Sequence, residues 1–337
     1  MLKALVNEAR LHLDITTMGP MLIKTGYATI IGADMSPVLT YRNGRKEIYI
    51  PGSSLKGVFR SHIEKVINSI KPRVACNPLA TSEDALTKDN RGLYRISCGA
   101  RLNKRARNDE PVPSHEAYRE SCPTCRLFGS TSFAGRLAIQ DAYLPEDAAE
   151  TQTYIEHRDG IAIDRLTGGT GGGAKFDLDV VTEGATFTTE IHLRNFEIWQ
   201  LGMLFVIIQD MQDELIRIGS GRSRGLGKIR AAINEREAGS HLGGVVLSAI
   251  RTPRNSERDD ELWGLGHWLG DEYALYGTRS DDLLKLSVPV AHTQRGVRSI
   301  RAFKGEVLER LQEQCIEAFV TRIQKWDEAP TNAQQRR

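Results

Sequence analysis

The chain opens on a strict alternation. Between Arg10 and Thr16, apolar Leu11, Leu13 and Ile15 interleave with polar His12, Asp14 and Thr16, the two-residue period of a strand with one buried face. A second short strand, Glu47 to Ile50, runs into Pro51-Gly52-Ser53-Ser54, and there the period changes. Leu55, Val58, Phe59, Ile63, Val66, Ile67 and Ile70 recur every three or four residues and draw one apolar stripe along a helix. Ser53 or Ser54 is placed to cap that helix, and Lys71-Pro72 ends it because proline lacks the N–H that a helix interior needs.

From about Arg73 to Ser121 the periodicity fades and charges multiply, which predicts an insertion with no core of its own. A strand pattern returns over Arg136 to Leu144. Between His157 and Glu183, strand signals around Ile161 to Leu166 and Phe176 to Val181 flank the run Gly168 to Lys175, predicting a long exposed hairpin with a glycine-rich tip. Ala185 to Leu193 alternates as a strand, Phe196 to Ile216 reads as a buried helix, and Gly225 to Ala232 as a closing strand. The tail from about Gly239 is separate in character: polar loops precede a helix whose stripe is Leu308, Leu311, Cys315, Phe319, Ile323 and Trp326. The end, from about Ala329 to Arg337, is expected to be disordered. No internal repeat is present. Strand and helix patterns that alternate in this way favour an α+β sheet with helices on one face.

Composition changes little. With 337 residues, 40% of them hydrophobic, the chain can bury a sizeable core as one large domain or two modest ones. Its 45 Lys and Arg nearly balance 43 Asp and Glu, so attraction to a polyanion must come from local clusters. No signal-peptide pattern or membrane-length apolar run stands out, which predicts a cytoplasmic protein with no membrane partner. Five cysteines include the pair Cys122 and Cys125, two residues apart, which in a reducing compartment points to metal before disulfide.

Three stretches carry candidate chemistry. The helix start Ile48 to Arg60 offers unpaired N–H groups and a positive dipole end, with Lys56 and Arg60 one turn apart; this suits a phosphate, and equally describes an ordinary helix with solvated basic residues. Gly219 to Arg230 mixes glycines with Arg222, Arg224, Lys228 and Arg230, a combination suited to gripping a sugar-phosphate chain. It is not a dinucleotide fingerprint, because Arg224 stands where the last glycine belongs. Nor is the run Gly168 to Lys175 a P-loop, since Phe176 occupies the Ser or Thr position. Third, Cys122 and Cys125 place two thiolates within tetrahedral reach of zinc, Cys98 supplies a third ligand, and Cys76 competes with His115 for the fourth. Cys315 lies on the apolar stripe of the last helix and reads as core.

Taken in order, Ile50-Pro51-Gly52-Ser53-Ser54-Leu55-Lys56-Gly57, Cys122 to Gly129, Ala162-Ile163-Asp164-Arg165 with Gly184 to Phe187, and Arg224-Gly225-Leu226-Gly227-Lys228-Ile229 resemble motifs of the RAMP (repeat-associated mysterious protein) superfamily. The likeness is to the backbone subunits of type III CRISPR effectors, and it covers roughly residues 8 to 235. It implies a ferredoxin-like (RRM-like) core over residues 1–238, a zinc-binding insertion at 73–130, a thumb hairpin at 157–184, and a partly helical extension at 239–337. It further implies that the chain stacks along CRISPR RNA beside other effector subunits, with its thumb wedged into the paired guide and target RNA. Ser53, Ser54, Lys56, Arg60, Arg165, Gly221, Arg222, Arg224, Gly225 and Lys228 are then the RNA-binding candidates. Family members that cut target RNA use an aspartate in the loop before the motif helix together with a divalent ion, magnesium or manganese. Asp34 is the candidate here, although Met35 separates it from Ser36-Pro37, whereas the family aspartate stands immediately before Ser-Pro. Its bland reading is a turn residue. Two rival functions stay open: a metal-independent nuclease that processes CRISPR transcripts, for which His12 and His62 are the nearby bases, and a zinc-stapled module without catalysis.

Overall fold

The computed structural model describes residues 4–24, 33–82, 93–107, 112–237, 242–250 and 257–326. The fold is a mixed α+β arrangement of antiparallel sheets. Its organising element is β1 (Asn7–Thr17), whose Ala9, Leu11, Leu13 and Ile15 are buried while Arg10, His12, Asp14 and Thr16 point to the other face. One edge of β1 pairs along most of its length with β10 (Thr186–Arg194), from Glu8 opposite Arg194 to Thr16 opposite Thr186. The other edge is shared: β11 (Ile229–Ile233) takes Leu13 to Thr17 and β12 (Val245–Ile250) takes Asn7 to Leu11. Outward from β10 come β6 (Leu137–Ile139), β7 (Ala142–Tyr143), β3 (Arg45–Ile50) and β2 (Leu39–Arg42); outward from β12 come β16 (Arg298–Phe303) and β15 (Thr293–Arg295). Two small ribbons, β4 (Gly129–Ser130) with β5 (Phe133–Ala134) and β13 (Glu261–Trp263) with β14 (Leu283–Lys285), stand apart from this ten-stranded sheet.

Helices cover one face. α1 (Gly52–Ile70) buries the predicted stripe through Leu55, Phe59, Ile63 and Ile67, and ends at Lys71. In the segment that lacked periodicity stand α2 (Cys98–Arg107), α3 (Ser114–Glu120) and α4 (Pro123–Phe128). α5 (Ile198–Gln212) is apolar all round because it lies between the sheet and α7 (Gly305–Gln324); the short α6 (Leu265–Trp268) follows β13. α5 and α7 approach closely at Gly202, where a β-carbon would stand 1.9 Å from the Cys315 carbonyl oxygen. Among the described residues, the opposite face of the sheet carries no helix but a lattice of paired polar groups: Thr188 and Asn234 donate to Asp14 at 2.7 and 2.9 Å, His12 meets Glu190 at 3.3 Å, and His192 meets Glu8 at 2.8 Å.

Several expectations need correction. The single strand over Arg136 to Leu144 is two, broken at Gln140 and Asp141 because Asp141 turns to accept the Gly52 N–H at 2.7 Å. That carboxylate also replaces the serine cap; Pro51 occupies the cap position of α1. The hairpin is formed by β8 (Ile155–Ile163) and β9 (Thr170–Val181), so most of the glycine run is strand and the tip is residues 164–169, closed by Asp164 accepting the N–H groups of Leu166 and Thr167. The buried helix starts at Ile198, capped by Glu197 and Gln200, and the closing strand starts at Ile229. The tail does not stand apart: β12, β15 and β16 extend the main sheet and α7 packs on α5. Asp282 ties it down by accepting the N–H groups of Ile198 and Gly266 at 3.0 and 2.9 Å; burial, then the Glu197 charge, push its carboxyl up to about 8. The expectation of a disordered end falls outside the described residues, as does most of the loop before Asp34.

If the contact between α5 and α7 holds the tail, Gly202→Ala should destabilise the protein by about 2–3 kcal/mol, lowering the urea midpoint at unchanged slope. Gly57→Ala, on the exposed face of α1 with open space around it, should be neutral or gain up to about 1 kcal/mol. Equal effects at the two positions would contradict the packing described.

Candidate nucleic-acid interface and metal centre

Four cysteine thiols meet beneath α1. Cys76, held by a bridge to Arg95, Cys98 at the start of α2, and Cys122 and Cys125 around the first turn of α4 are all buried, and their sulfurs lie within 4.8 Å of one another. Cys76 Sγ is 3.5 Å from Cys125 Sγ and 3.6 Å from Cys122 Sγ, and none forms a disulfide. Thiolates about 2.3 Å from a tetrahedral metal stand about 3.8 Å apart, so the set can hold one ion. Of the two candidates for the fourth position, Cys76 lies in this cluster, while the His115 ring packs edge-on to Tyr276, 6.0 Å between centroids. Four thiolates around a divalent ion leave a net charge of −2, and the surroundings answer it. Arg60 donates to Cys125 Sγ at 3.3 Å, Arg95 to Cys98 Sγ at 3.7 Å, and the Cys122 N–H to Cys98 Sγ at 3.3 Å.

Arg60 is therefore turned inward. It also binds Glu64 at 2.8 Å and the Gly129 carbonyl at 3.0 Å, so its guanidinium is committed to the cysteine centre and is not presented to a phosphate. Lys56 is half-committed, its ammonium 3.1 Å from the Leu137 carbonyl and held below its usual range by burial and then by the Arg60 charge. Ser53 is exposed and Ser54 partly so, but the first amide of α1 belongs to Asp141, and Gly52 is required because a β-carbon there would meet the Ile139 carbonyl at 2.4 Å. The close approach expected of a ligand is made by the chain itself.

The glycine loop presents more. Its fold is internal: a β-carbon on Gly227 would sit 2.0 Å from the Ile218 carbonyl, and the Gly227 and Ser220 amides donate to Pro20 and Leu22. Arg222, Ser223, Arg224 and Gly225 form an exposed turn on this frame, Gly221 is partly exposed, and Gly225 has φ +88 with open space around it. Lys228 is paired with Glu214 at 2.5 Å, and Arg230 with the same carboxylate. Arg165 is exposed at the hairpin tip beside Leu166, far out on two strands that, among the described residues, pair only with each other beyond their base.

Four segments converge. Leu22, Val180 and Leu226 form a buried cluster against which Met35 and Leu178 pack, joining the chain after β1, the Asp34 segment, the hairpin base and the glycine loop. Met35 pairs with Leu178, and Asp34 Oδ2 accepts the Asp177 N–H at 3.1 Å, so exposed Asp34 is anchored on β9. Arg224 lies over the Phe176 ring, 6.0 Å from its centroid. The two histidines considered as bases are partnered by carboxylates, His12 by Glu190 and His62 by Asp210 at 2.5 Å. Sequence reasoning missed Arg95, Asp141, Glu214 and Phe176, none of which carries a local motif.

This mixed α+β chain belongs to the RAMP superfamily, whose pattern it matches over residues 14–230. It is similar to a Methanocaldococcus jannaschii protein described as "CRISPR system Cms endoribonuclease Csm3", 28% identical over 210 residues, which covers 59% of this chain and 68% of that protein. Among the described residues, no helix is long and apolar enough to cross a membrane.

Elemental analysis of untreated protein should find one metal ion per chain in the four-cysteine site, absent after Cys122→Ser. Stripping it should lower the melting temperature by roughly 10 °C. Acidification should weaken retention, because protons compete for the thiolates. Arg60→Ala should speed loss to a chelator about tenfold. Metal-free protein with unchanged stability would remove the centre from the account.

Proposed function

We propose that this chain is an RNA-binding backbone subunit of a type III CRISPR effector complex that also cuts target RNA. The observation that carries the reading is the convergence of the exposed Arg222–Gly225 turn, the hairpin base and Asp34 on one buried apolar cluster. Family membership and the described activity of the similar archaeal protein support it. A ferredoxin-like core is supported by the order β11, β1, β10, β6/β7, the fourth, first, third and second core strands, with α1 and α5 as the two crossovers. In this reading residues 1–238 are the core domain, 73–130 a zinc-stapled insertion, 157–184 the thumb, and 239–337 an elaboration that widens the sheet. Zinc fits the donor set, since four thiolates at these separations suit a closed tetrahedral structural site.

Guide RNA is held through phosphates. Arg222 and Arg224 supply charge, and the turn at Gly225 lets backbone approach backbone; Gly221, Ser53, Ser54, Lys56, Lys228 and, on the thumb, Arg165 are the further contacts of this reading. Such contacts position a strand without reading its bases. Arg60 serves this surface only indirectly, by steadying the metal centre beneath α1. Cleavage is attack of a ribose 2′-oxygen on the adjacent phosphorus with departure of the 5′-oxygen, leaving a cyclic phosphate and a 5′-hydroxyl. A divalent ion, magnesium or manganese, would neutralise charge on the phosphate. Asp34 uses one acceptor site on the Asp177 amide and has others with which to take the hydroxyl proton or orient the hydroxyl. CRISPR RNA, target RNA and neighbouring effector subunits are the partners of this reading, and the cytoplasm its place.

In the assembled complex, Asp34→Ala should stop cleavage at the sites this subunit faces while target RNA binds at near wild-type strength. Arg222→Ala and Arg224→Ala should weaken guide binding alike for unrelated sequences, each reducing the salt slope by about 1. Normal cutting by the Asp34 variant would return that residue to the role of a turn, and purified complexes devoid of RNA would sink the whole assignment.

A further inference from the structure

One face of the hairpin sets carboxylates against one another, with one lysine beside them. In the register of β8 and β9, Asp159 lies directly opposite Asp177, and His157 opposite Asp179, with Lys175 one pair further along opposite Ile161. Like charges placed directly opposite on neighbouring strands repel, and a strand pair of this kind has no core to offset the repulsion. A ligand atom from each of His157, Asp159 and Asp177 lies within 4.8 Å of the other two. The His157 ring is already oriented: Nδ1 meets Asp179 Oδ1 at 2.9 Å, and Nε2 faces Asp159 Oδ1 at 3.8 Å, too far for a hydrogen bond. Imidazoles that ligate metals are oriented in this way, one nitrogen on a carboxylate and the other on the ion. Asp177 Oδ1 is shielded from solvent and has no hydrogen-bond partner. The nearest cation is Lys175, whose ammonium is 3.1 Å from Asp159 Oδ1 and 3.8 Å from Asp177 Oδ1.

We propose that His157, Asp159 and Asp177 form a divalent-cation site on the hairpin face, bordering Asp34, for an ion of the manganese or magnesium class. One imidazole and two carboxylates are hard-to-borderline donors that suit such an ion, and the exposure of His157 and Asp159, with Asp177 partly exposed, leaves coordination positions open to water or a phosphate oxygen. Asp179 is a positioning residue, steadied by Ser36 at 3.3 Å and by its own N–H on the Met35 carbonyl. Lys175 balances the aspartates when no ion is bound, and the ion displaces it. Asp34 reaches the site through the Asp177 amide, which places the proposed catalytic carboxylate on the same backbone unit as one of the ligands. The ion's use in cleavage rests on the function proposed above; the site itself does not.

The test is a Mn2+ titration of the full chain without RNA, followed by electron paramagnetic resonance. One Mn2+ per chain should bind with a nitrogen hyperfine signature from imidazole. His157→Ala should abolish that signature and weaken binding at least about tenfold, as should Asp159→Asn with Asp177→Asn; Asp179→Asn should weaken it about tenfold, and Lys175→Met should tighten it. No Mn2+ binding at millimolar concentration, or binding whose strength and spectrum survive His157→Ala, would overturn the site. In the assembled complex, His157→Ala should raise the Mn2+ concentration needed for half-maximal cleavage about tenfold with guide binding unchanged. An unshifted requirement in a complex that Asp34→Ala silences would overturn the link to cleavage. A wild-type complex that never cuts would count against the function proposed above, and the spectroscopic titration would still decide the site.

Discussion

Leu22, Val180 and Leu226 are three side chains on which every proposed RNA contact beyond α1 depends. They come from segments far apart in the chain, and their burial, with Met35 and Leu178 packed alongside, is what brings a loop, a hairpin and a glycine turn to one place. Each fully buried aliphatic side chain contributes about 1.5–3 kcal/mol. That is enough to seat the base of a hairpin that would be marginal as an isolated two-stranded ribbon in water. Backbone bonds then fix register: Met21 with Val181, Met35 with Asp177 and Asp179, and Gly227 with Pro20. The groups left outward on this frame are Asp34, the hairpin face and the Arg222–Gly225 turn, while the hairpin tip has, among the described residues, no strand pairing beyond its own strands.

The cysteine centre does for the other end of α1 what the apolar cluster does for its approach. Its basic neighbours Arg60 and Arg95 offset the thiolate charge, and Arg126, one residue beyond Cys125, carries the constraint outward. Arg126 is 4% exposed, donates to the Gly277 carbonyl at 3.1 Å, and lies 4.7 Å from the centroid of Trp326, just beyond the last helix. The insertion and the C-terminal segment are thus held by one buried guanidinium, with Tyr118 and Glu197 completing the network at 2.7 Å. Several cations of this near-neutral chain are used internally, Arg60, Arg95 and Arg126 among them, while Arg222 and Arg224 stand exposed side by side on the glycine loop.

What was legible in the sequence was whatever local periodicity or spacing encodes. The alternation of β1, the stripe of α1 and the pair Cys122 and Cys125 each describe one element or one turn, and the structure has them there. Roles decided by distant partners were not legible. Arg60 reads as a surface cation until Cys125, 65 residues away, is placed beside it, and the helix start reads as an anion site until Asp141, 89 residues on, occupies it. Asp34 is anchored by an amide 143 residues later. The glycine run was assigned to a tip by composition, yet pairing with β8 makes much of it strand. Val245 to Ile250 alternates in burial, yet Ser248 is its only polar residue, so its sequence carries no two-residue period to mark it as a half-buried strand.

The central claim is that RNA runs along the edge where the glycine loop, the hairpin base and the Asp34 segment meet, and not across the open, internally paired face of the sheet. Photocrosslinking of the purified complex carrying 4-thiouridine-substituted RNA, with the adducts mapped by mass spectrometry, tests it most directly. The account predicts adducts on peptides containing residues 33–36, Phe176 to Leu178 and Gly219 to Lys228. Adducts concentrated instead on Arg10, His12, His192 and Arg194 of the open sheet face would contradict it.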